Sequence, residues 1–198
     1  MSFEDFKVFY VLSLLGLGSI ILAPTLALTV RLPSGERFSE LWILGSGHMA
    51  EDYPFNVRLN ETCKIYLGIG NHMNGLQYYR VLVKFRNGTE SSPDALNATP
   101  STLDPLVEYR LFLSNDDVWE KEILFSVQDF VFEGNSCRVS RITINGDIVN
   151  LSPIKIATWN EESKGFYFQL FFELWLHKAE FVYHNRFVGI WLNMTKSV

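Results

Sequence analysis

A run of 23 residues without a charged side chain, residues 8–30, is the feature that most constrains this chain. A helix of that length spans roughly 30 Å, which is the thickness of the hydrocarbon layer of a membrane. Charged residues end at Lys7 and resume at Arg31. We therefore expect residues 1–32 to form an N-terminal transmembrane anchor that contacts membrane lipid through residues 8–30.

A cleaved signal peptide is the alternative interpretation of this run, since Thr25-Leu26-Ala27 resembles a small-x-small cleavage site. However, Glu4 and Asp5 precede the run beside Lys7, so the region before it is not basic. The run is also longer than the apolar part of most signal peptides. These features favour a retained anchor, although cleavage stays open.

Five Asn-x-Ser/Thr motifs follow the run, and they indicate which side of the membrane the remainder occupies. Lys7 on one flank and Arg31 on the other give almost no charge difference from which to orient the chain. Glycan acceptors work only on the exported side, so we expect residues 33–198 to lie outside the cytoplasm, in the cell envelope. The predicted glycosylation sites are Asn60, Asn87, Asn97, Asn150 and Asn193.

The chain has two cysteines, Cys63 and Cys137. An even number of cysteines in an exported domain is typical of a disulfide. Closing a loop of about 75 residues would stabilise the fold by roughly 4 kcal/mol in the chain-entropy view. The sequence predicts this bond, with two buried free thiols as the alternative.

After Arg31 the sequence changes to short runs rich in β-branched and aromatic residues, separated by turn signals. Such a pattern predicts a mainly β fold, an immunoglobulin-like β-sandwich over residues 33–198. The stretch 87–105, rich in Ser, Thr, Pro and Asn, is expected to be a surface loop. The expected strands are 38–44, 62–69, 78–86, 107–113, 119–126, 138–144, 154–159, 166–176 and 187–193.

The stretch from Arg37 to Pro54, RFSELWILGSGHMAEDYP, resembles the opening of the outer domain in an uncharacterised archaeal membrane-protein family, the domain-of-unknown-function group sixteen-sixteen. The next segment, LGIGNH at 67–72, and the strand that begins at Tyr79 also fit the family pattern. The resemblance implies an archaeal envelope protein with an immunoglobulin-like outer domain and no assigned activity. The chain departs from the family in having one hydrophobic helix and in residues 130–163, which look like an insertion.

Charge and motifs exclude several classes of function. A net charge of −5 without a Lys/Arg cluster disfavours nucleic-acid binding. His48, Glu51 and Asp52 lie close together in sequence and could hold a metal, but the glycines beside them indicate a structural turn. Because no hydrolase, nucleotide-binding or zinc-protease motif occurs, we expect no enzyme and no cofactor.

Residues 166–176, FYFQLFFELWL, point to a partner surface. On a strand, the even-numbered positions form one apolar face, which must be core, and Tyr167, Phe171 and Trp175 lie on the other. Exposed aromatic clusters mark interfaces, so these three residues are the candidate partner surface. The alternative is that residues 130–163 fold over that face.

These observations predict a single-pass envelope protein whose outer domain is a protein-binding or assembly module, as an accessory subunit of a membrane complex. A pilin-like or surface-layer filament subunit is the second hypothesis, although Glu4-Asp5-Phe6-Lys7 lacks the glycine expected before a processing site. A metal-dependent enzyme that uses His48, Glu51 and Asp52 is the third.

Overall fold

The structure, a computed structural model, describes residues 3–29 and 36–195. The chain forms two compact units, Met1–Arg37 and Phe38–Val198. Among the described residues, the first unit contains one helix and the second contains ten strands.

The helix of the first unit, α1, runs from Phe3 to Thr29. Two of its hydroxyl groups bond within the helix: Ser13 Oγ donates to Phe9 O and Ser19 Oγ to Leu15 O, each at 2.9 Å. In the described ranges, 3–29 and 36–195, no helix is long and apolar enough to cross a membrane. The predicted transmembrane helix is therefore not supported.

The described part of the second unit has ten strands, and some of them, such as Val107–Leu113 and Ser136–Ile144, show the alternation of more buried and more exposed residues that the sequence predicts. Two predicted strands, 38–44 and 107–113, have the observed bounds. The strands are β1 Phe38–Leu44, β2 Asn56–Val57, β3 Cys63–His72, β4 Gln77–Asn87, β5 Val107–Leu113, β6 Val118–Glu133, β7 Ser136–Ile144, β8 Asp147–Thr158, β9 Tyr167–His177 and β10 Phe181–Met194.

The strands form two five-stranded sheets. Sheet A has the order β1-β3-β6-β7-β8, and sheet B has the order β2-β10-β9-β4-β5. All pairings are antiparallel except that of β2 with β10. Apolar side chains from both sheets, such as Ile65 and Ile123 of sheet A and Val81 and Phe172 of sheet B, join in one buried cluster. This confirms the predicted mainly β sandwich.

Residues 130–163, which the sequence suggested were an insertion, are part of sheet A. They include the end of β6, all of β7 and all of β8. Val139 and Ile142 of β7 and Leu151 of β8 belong to the core cluster. This segment therefore supplies core side chains and strand pairing.

Candidate interaction surface

Strand β9 has the two faces that its sequence predicts. The even-numbered side chains, Phe168, Leu170, Phe172, Leu174 and Leu176, are at most 2% exposed and point into the core. The odd-numbered side chains lie on the outer face of sheet B.

Phe171, at the centre of the predicted partner surface, is 0% exposed, so the prediction is wrong at this position. On the same face, Glu173 Oε1 accepts a hydrogen bond from the backbone N–H of Ser101 at 2.8 Å. Lys84 Nζ donates to the Ser101 carbonyl at 2.8 Å. Residues 88–106, the cover segment, therefore lie over the middle of the outer face. The predicted surface loop buries part of this face, and residues 130–163 do not take that role.

Tyr167 and Trp175 lie at opposite ends of β9 and are half-buried. Trp175 Nε1 donates to Glu173 Oε2 at 3.2 Å, and its ring lies 5.0 Å from the Arg80 guanidinium. The Tyr167 hydroxyl donates to the Ser163 carbonyl. The two aromatic residues thus belong to separate parts of the outer face.

Trp175 belongs to a patch of arginine and aromatic side chains, the arginine–aromatic patch. The Phe181 ring lies at its centre, with Arg80 at 4.5 Å and Arg110 at 5.8 Å from the ring. Tyr78 lies 5.1 Å from Phe181 and stacks on Phe112 at 4.3 Å, nearly parallel. Phe112 is 66% exposed. The patch consists of Tyr78, Arg80, Arg110, Phe112, Trp175 and Phe181.

Within this patch, two arginines share one carboxylate. Arg110 Nε bonds to Glu108 Oε1, and Arg80 Nη1 lies 4.0 Å from Glu108 Oε2. The Arg80 Nε atom is buried and has no hydrogen-bond partner among the described residues. The patch therefore has excess positive charge and an unused donor, although the whole chain has a net charge of −5.

The surface residues predicted from the sequence did not include Tyr78, Phe112 or Phe181. A signal for Phe112 was present, because β5 alternates and places Glu108, Arg110 and Phe112 on one face. Phe181 follows the β9–β10 turn, where no periodic pattern predicts its position.

The loop with His48, Glu51 and Asp52 is held mainly by its backbone. Gly45 N–H donates to the Met49 carbonyl at 2.8 Å. The His48 imidazole stacks on Tyr66 at 3.5 Å, and its Nδ1 lies 3.0 Å from Glu120 Oε1. Among the residues that the structure describes, no three His, Cys, Asp or Glu side chains could share a metal ion.

Cys63 and Cys137 are free and buried, so the predicted disulfide is wrong. Both lie in sheet A, where Cys63 pairs with Phe125 and Cys137 with Phe132 on the intervening strand β6. At about 3.3 Å per residue, these two positions on β6 lie roughly 20 Å apart, far beyond the reach of a disulfide. Burial raises the pKa of Cys63 to about 11, with a further contribution from the charge of Glu61, and burial raises that of Cys137 to about 12.

The five predicted glycan acceptors differ in exposure. Asn60, Asn97 and Asn150 are exposed. Asn87 and Asn193 are half-buried, and their Nδ2 atoms donate to Ile156 O at 2.7 Å and to Asn56 Oδ1 at 3.0 Å. Among the five acceptors, the Nδ2 atoms of Asn87 and Asn193 therefore bond across strands, whereas Asn60, Asn97 and Asn150 lie at exposed positions.

Comparison with solved structures gives distant resemblances. A β-glucosidase from Listeria innocua in complex with glucose matches with a TM-score of 0.36 and 7% identity over 80% of this chain. The chain spans only 16% of that enzyme. The CARDB domain of a Pyrococcus furiosus protein, in complex with di-metal ions, has a TM-score of 0.36 and 11% identity, covering 83% of this chain and 94% of that one. The search of curated proteins found no match.

Comparison with protein families gives one match, and it includes the residues from which the resemblance was drawn. The match covers residues 32–144, which is more than half of the 198 residues. It extends through β1 to β7. The chain therefore belongs to the family described as domain of unknown function DUF1616.

Proposed function

We propose that this chain is a protein-binding or assembly module, whose immunoglobulin-like sandwich contacts a partner protein through the arginine–aromatic patch. The observation that carries the proposal is the exposure of Phe112 and Arg110 in this patch. Phe112 is 66% exposed, and Arg110 has 56% of its side chain exposed. Aromatic residues and arginine are the side chains most enriched at the centres of protein interfaces.

The part of the outer face under the cover segment can be compared with the arginine–aromatic patch, which lies on the same sheet. The middle of the outer face, with Phe171 and Leu82, is buried beneath residues of this chain, whereas the patch beside it is open. A solvent-facing strand end would ordinarily carry polar side chains. The aromatic composition of the open part therefore favours an intermolecular contact.

The patch also indicates the chemistry of the partner. Arg80 and Arg110 share the carboxylate of Glu108, so a carboxylate of the partner would find the exposed guanidinium of Arg110 with that of Arg80 beside it. The stacked rings of Tyr78 and Phe112 offer an apolar platform beside them. The expected partner surface is apolar at its centre and acidic at its rim, as an envelope or membrane protein could provide.

The proposed location is a cell membrane, with lipid around residues 8–30 and the domain outside the cytoplasm. Its support is the uncharged run and the five Asn-x-Ser/Thr motifs that follow it. Large side chains of α1 from Phe6 to Ile20 are more than half exposed, which suits an apolar environment. An accessory subunit of a membrane complex fits both features.

The test is extraction of the tagged full-length chain from its native membranes in mild detergent, followed by quantitative mass spectrometry of the complex. Arg110→Glu reverses the charge at an exposed position without leaving a buried cavity. We expect recovery of the specific partner to fall at least tenfold, and the purified variant to unfold at the same temperature as the wild type.

Arg58→Glu is the matched control, because Arg58 is also exposed and lies outside the patch. It should recover the wild-type amount of partner. Equal partner recovery with Arg110→Glu, or a wild-type chain that is extracted without any stoichiometric partner, would show that the patch is not an assembly surface. Recovery of only further copies of this chain would instead support the filament hypothesis.

A further inference from the structure

A second surface feature lies at the Tyr167 end of the outer face, away from the arginine–aromatic patch. Here the end of β8 and the turn after it meet the end of β4 and the start of β9. Asn87 Nδ2 donates to the Ile156 carbonyl at 2.7 Å and ties β4 to β8. The resulting neutral cleft is lined by Asn87, Thr158, Trp159, Asn160, Tyr167 and Trp191.

Its walls are aromatic and held in place. Tyr167 lies against Gly165, where an added Cβ would come within 2.9 Å of the ring, and its hydroxyl donates to Ser163 O. Trp191 is 39% exposed and has the Arg86 guanidinium 5.1 Å from its ring. These rings are thus fixed before any ligand arrives, which lowers the entropic cost of binding.

Its polar groups are amides and hydroxyls. Asn160 Oδ1 accepts from the Ser163 N–H at 2.8 Å, which orients the side chain. Asn160 Nδ2 and Thr158 Oγ1 have no hydrogen-bond partner among the described residues. Both residues are exposed, so these groups are available to a ligand.

In the part of the chain that the structure describes, no charged side chain lines this cleft, although charged residues make up 20% of the sequence. The absence of a lining cation disfavours phosphates and carboxylates, and the absence of a lining carboxylate disfavours amines and metal ions. The class of ligand that fits this lining is a neutral molecule with many hydroxyl groups and with C–H faces that can lie on aromatic rings. Sugars have this combination.

We propose that the neutral cleft is a binding site for a neutral saccharide. The sugar could come from an external oligosaccharide or from a glycan on Asn87, because Asn87-Gly88-Thr89 is itself a glycosylation motif in the lining. Glycosylation replaces one of the two hydrogens on Nδ2, so the remaining one can still donate to Ile156 O. The proposal is independent of the protein partner discussed above.

The experiment uses the full-length chain in detergent micelles, produced in a host that adds no N-glycans. Neutral oligomers of glucose and of N-acetylglucosamine are titrated while tryptophan fluorescence and saturation-transfer NMR are recorded. We expect saturable binding of at least one oligomer. Trp191→Ala should weaken it at least tenfold, and Thr158→Val, which keeps the side-chain shape, should weaken it severalfold.

Ile148→Ala, a change at an exposed residue outside the cleft, is the control and should bind as the wild type does. The source of the sugar is then distinguished with glycosylated protein from the native host. If the glycosylated wild type does not bind the added oligomer but Thr89→Ala does, the occupant is the glycan on Asn87. If both bind equally, the occupant is external. The proposal would be overturned if the glycan-free chain showed no saturable binding. It would also be overturned if Trp191→Ala and Thr158→Val bound the oligomer as tightly as the wild type does.

Discussion

Lys84 and Glu173 form an ion pair that is almost completely removed from solvent: Nζ lies 3.0 Å from Oε2, and the side chains are 3% and 0% exposed. The pair is surrounded by further bonds, from the Ser101 N–H and Trp175 Nε1 to the carboxylate and from Lys84 to the Ser101 carbonyl. It therefore joins β4, β9 and the cover segment into one unit.

Removing one partner of this pair should be strongly destabilising. Glu173→Ala leaves the Lys84 ammonium buried without its counter-charge, and such changes cost about 3–5 kcal/mol. Urea unfolding followed by circular dichroism measures the loss. The double variant Lys84→Met with Glu173→Leu should recover most of it, because neither charge then remains in the interior.

Lys164 and Glu161 provide the control, since their charged atoms are also 3.0 Å apart but the side chains are 66% and 79% exposed. Glu161→Ala should change the free energy of unfolding by less than about 1 kcal/mol. Similar costs for Glu161→Ala and Glu173→Ala would contradict the assignment of the buried pair as the fastening of the cover segment.

Gly68 is needed because the Trp42 indole of β1 lies across β3 at this position. A Cβ at Gly68 would come within 2.1 Å of the ring. Gly68→Ala should therefore destabilise the domain by about 1–3 kcal/mol through overpacking. Gly75→Ala, at a position with nothing within 4 Å, is the control. The double variant Gly68→Ala with Trp42→Ala should lose less free energy of unfolding than the two single variants lose together, because the added Cβ no longer meets the indole.

The free thiols predict a specific behaviour at high pH. Folding raises the pKa values of Cys63 and Cys137 from 9.0 to about 11 and about 12. As the pH rises, the thiols therefore lose their protons in the unfolded chain before they do so in the folded chain. Their contribution to the free energy of unfolding is complete below pH 9.0 and is lost as the pH rises towards 11 and 12. Replacing both by alanine should flatten this part of the stability profile. Maleimide labelling in denaturant without reductant should modify both cysteines, and a protected pair would show that they are bonded.

Glycan occupancy should follow exposure. Asn60, Asn97 and Asn150 are exposed, whereas Asn193 is half-buried, accepts the Phe166 N–H at Oδ1 and donates to Asn56. Mass spectrometry of native protein should find the first three modified more fully than Asn193. Full occupancy at Asn193, with none at Asn60 and Asn150, would show that these motifs are not selected by surface access.

The sequence predicted most strands because their signal is local. Alternation and turn residues are contained in each segment, and the nine predicted strands correspond to β1 and β3–β10. Strand β2 has only two residues and exists because it pairs with β10, far along the chain, so no local pattern indicates it.

The candidate site was less predictable because it depends on which segments meet. Alternation placed Phe171 on the outer face, but only the tertiary fold shows that the cover segment buries that face. The disulfide prediction failed for a similar reason. It rested on an even number of cysteines in a domain expected to be exported, and neither feature gives the distance between two strands of one sheet.

Tyr183 carries a buried hydroxyl that the fold leaves unsatisfied. The residue is 6% exposed, and its hydroxyl has no hydrogen-bond partner among the described residues. Burial raises its pKa to about 12, and the charges of Glu173 and Asp94 add to that rise, so the group stays protonated. A buried polar group without a partner costs about 1–3 kcal/mol, and Tyr183→Phe should therefore stabilise the domain by about 1 kcal/mol.

Tyr79 is the matched comparison, because it is also a buried tyrosine but its hydroxyl is used. It lies 2.6 Å from Ser39 Oγ and donates to Asn71 Oδ1 at 3.1 Å. Tyr79→Phe removes both bonds and should destabilise by about 1–3 kcal/mol. The two substitutions delete the same atom, so opposite signs in thermal unfolding would follow from hydrogen bonding alone. A loss of stability with Tyr183→Phe as large as that with Tyr79→Phe would mean that the Tyr183 hydroxyl has a partner.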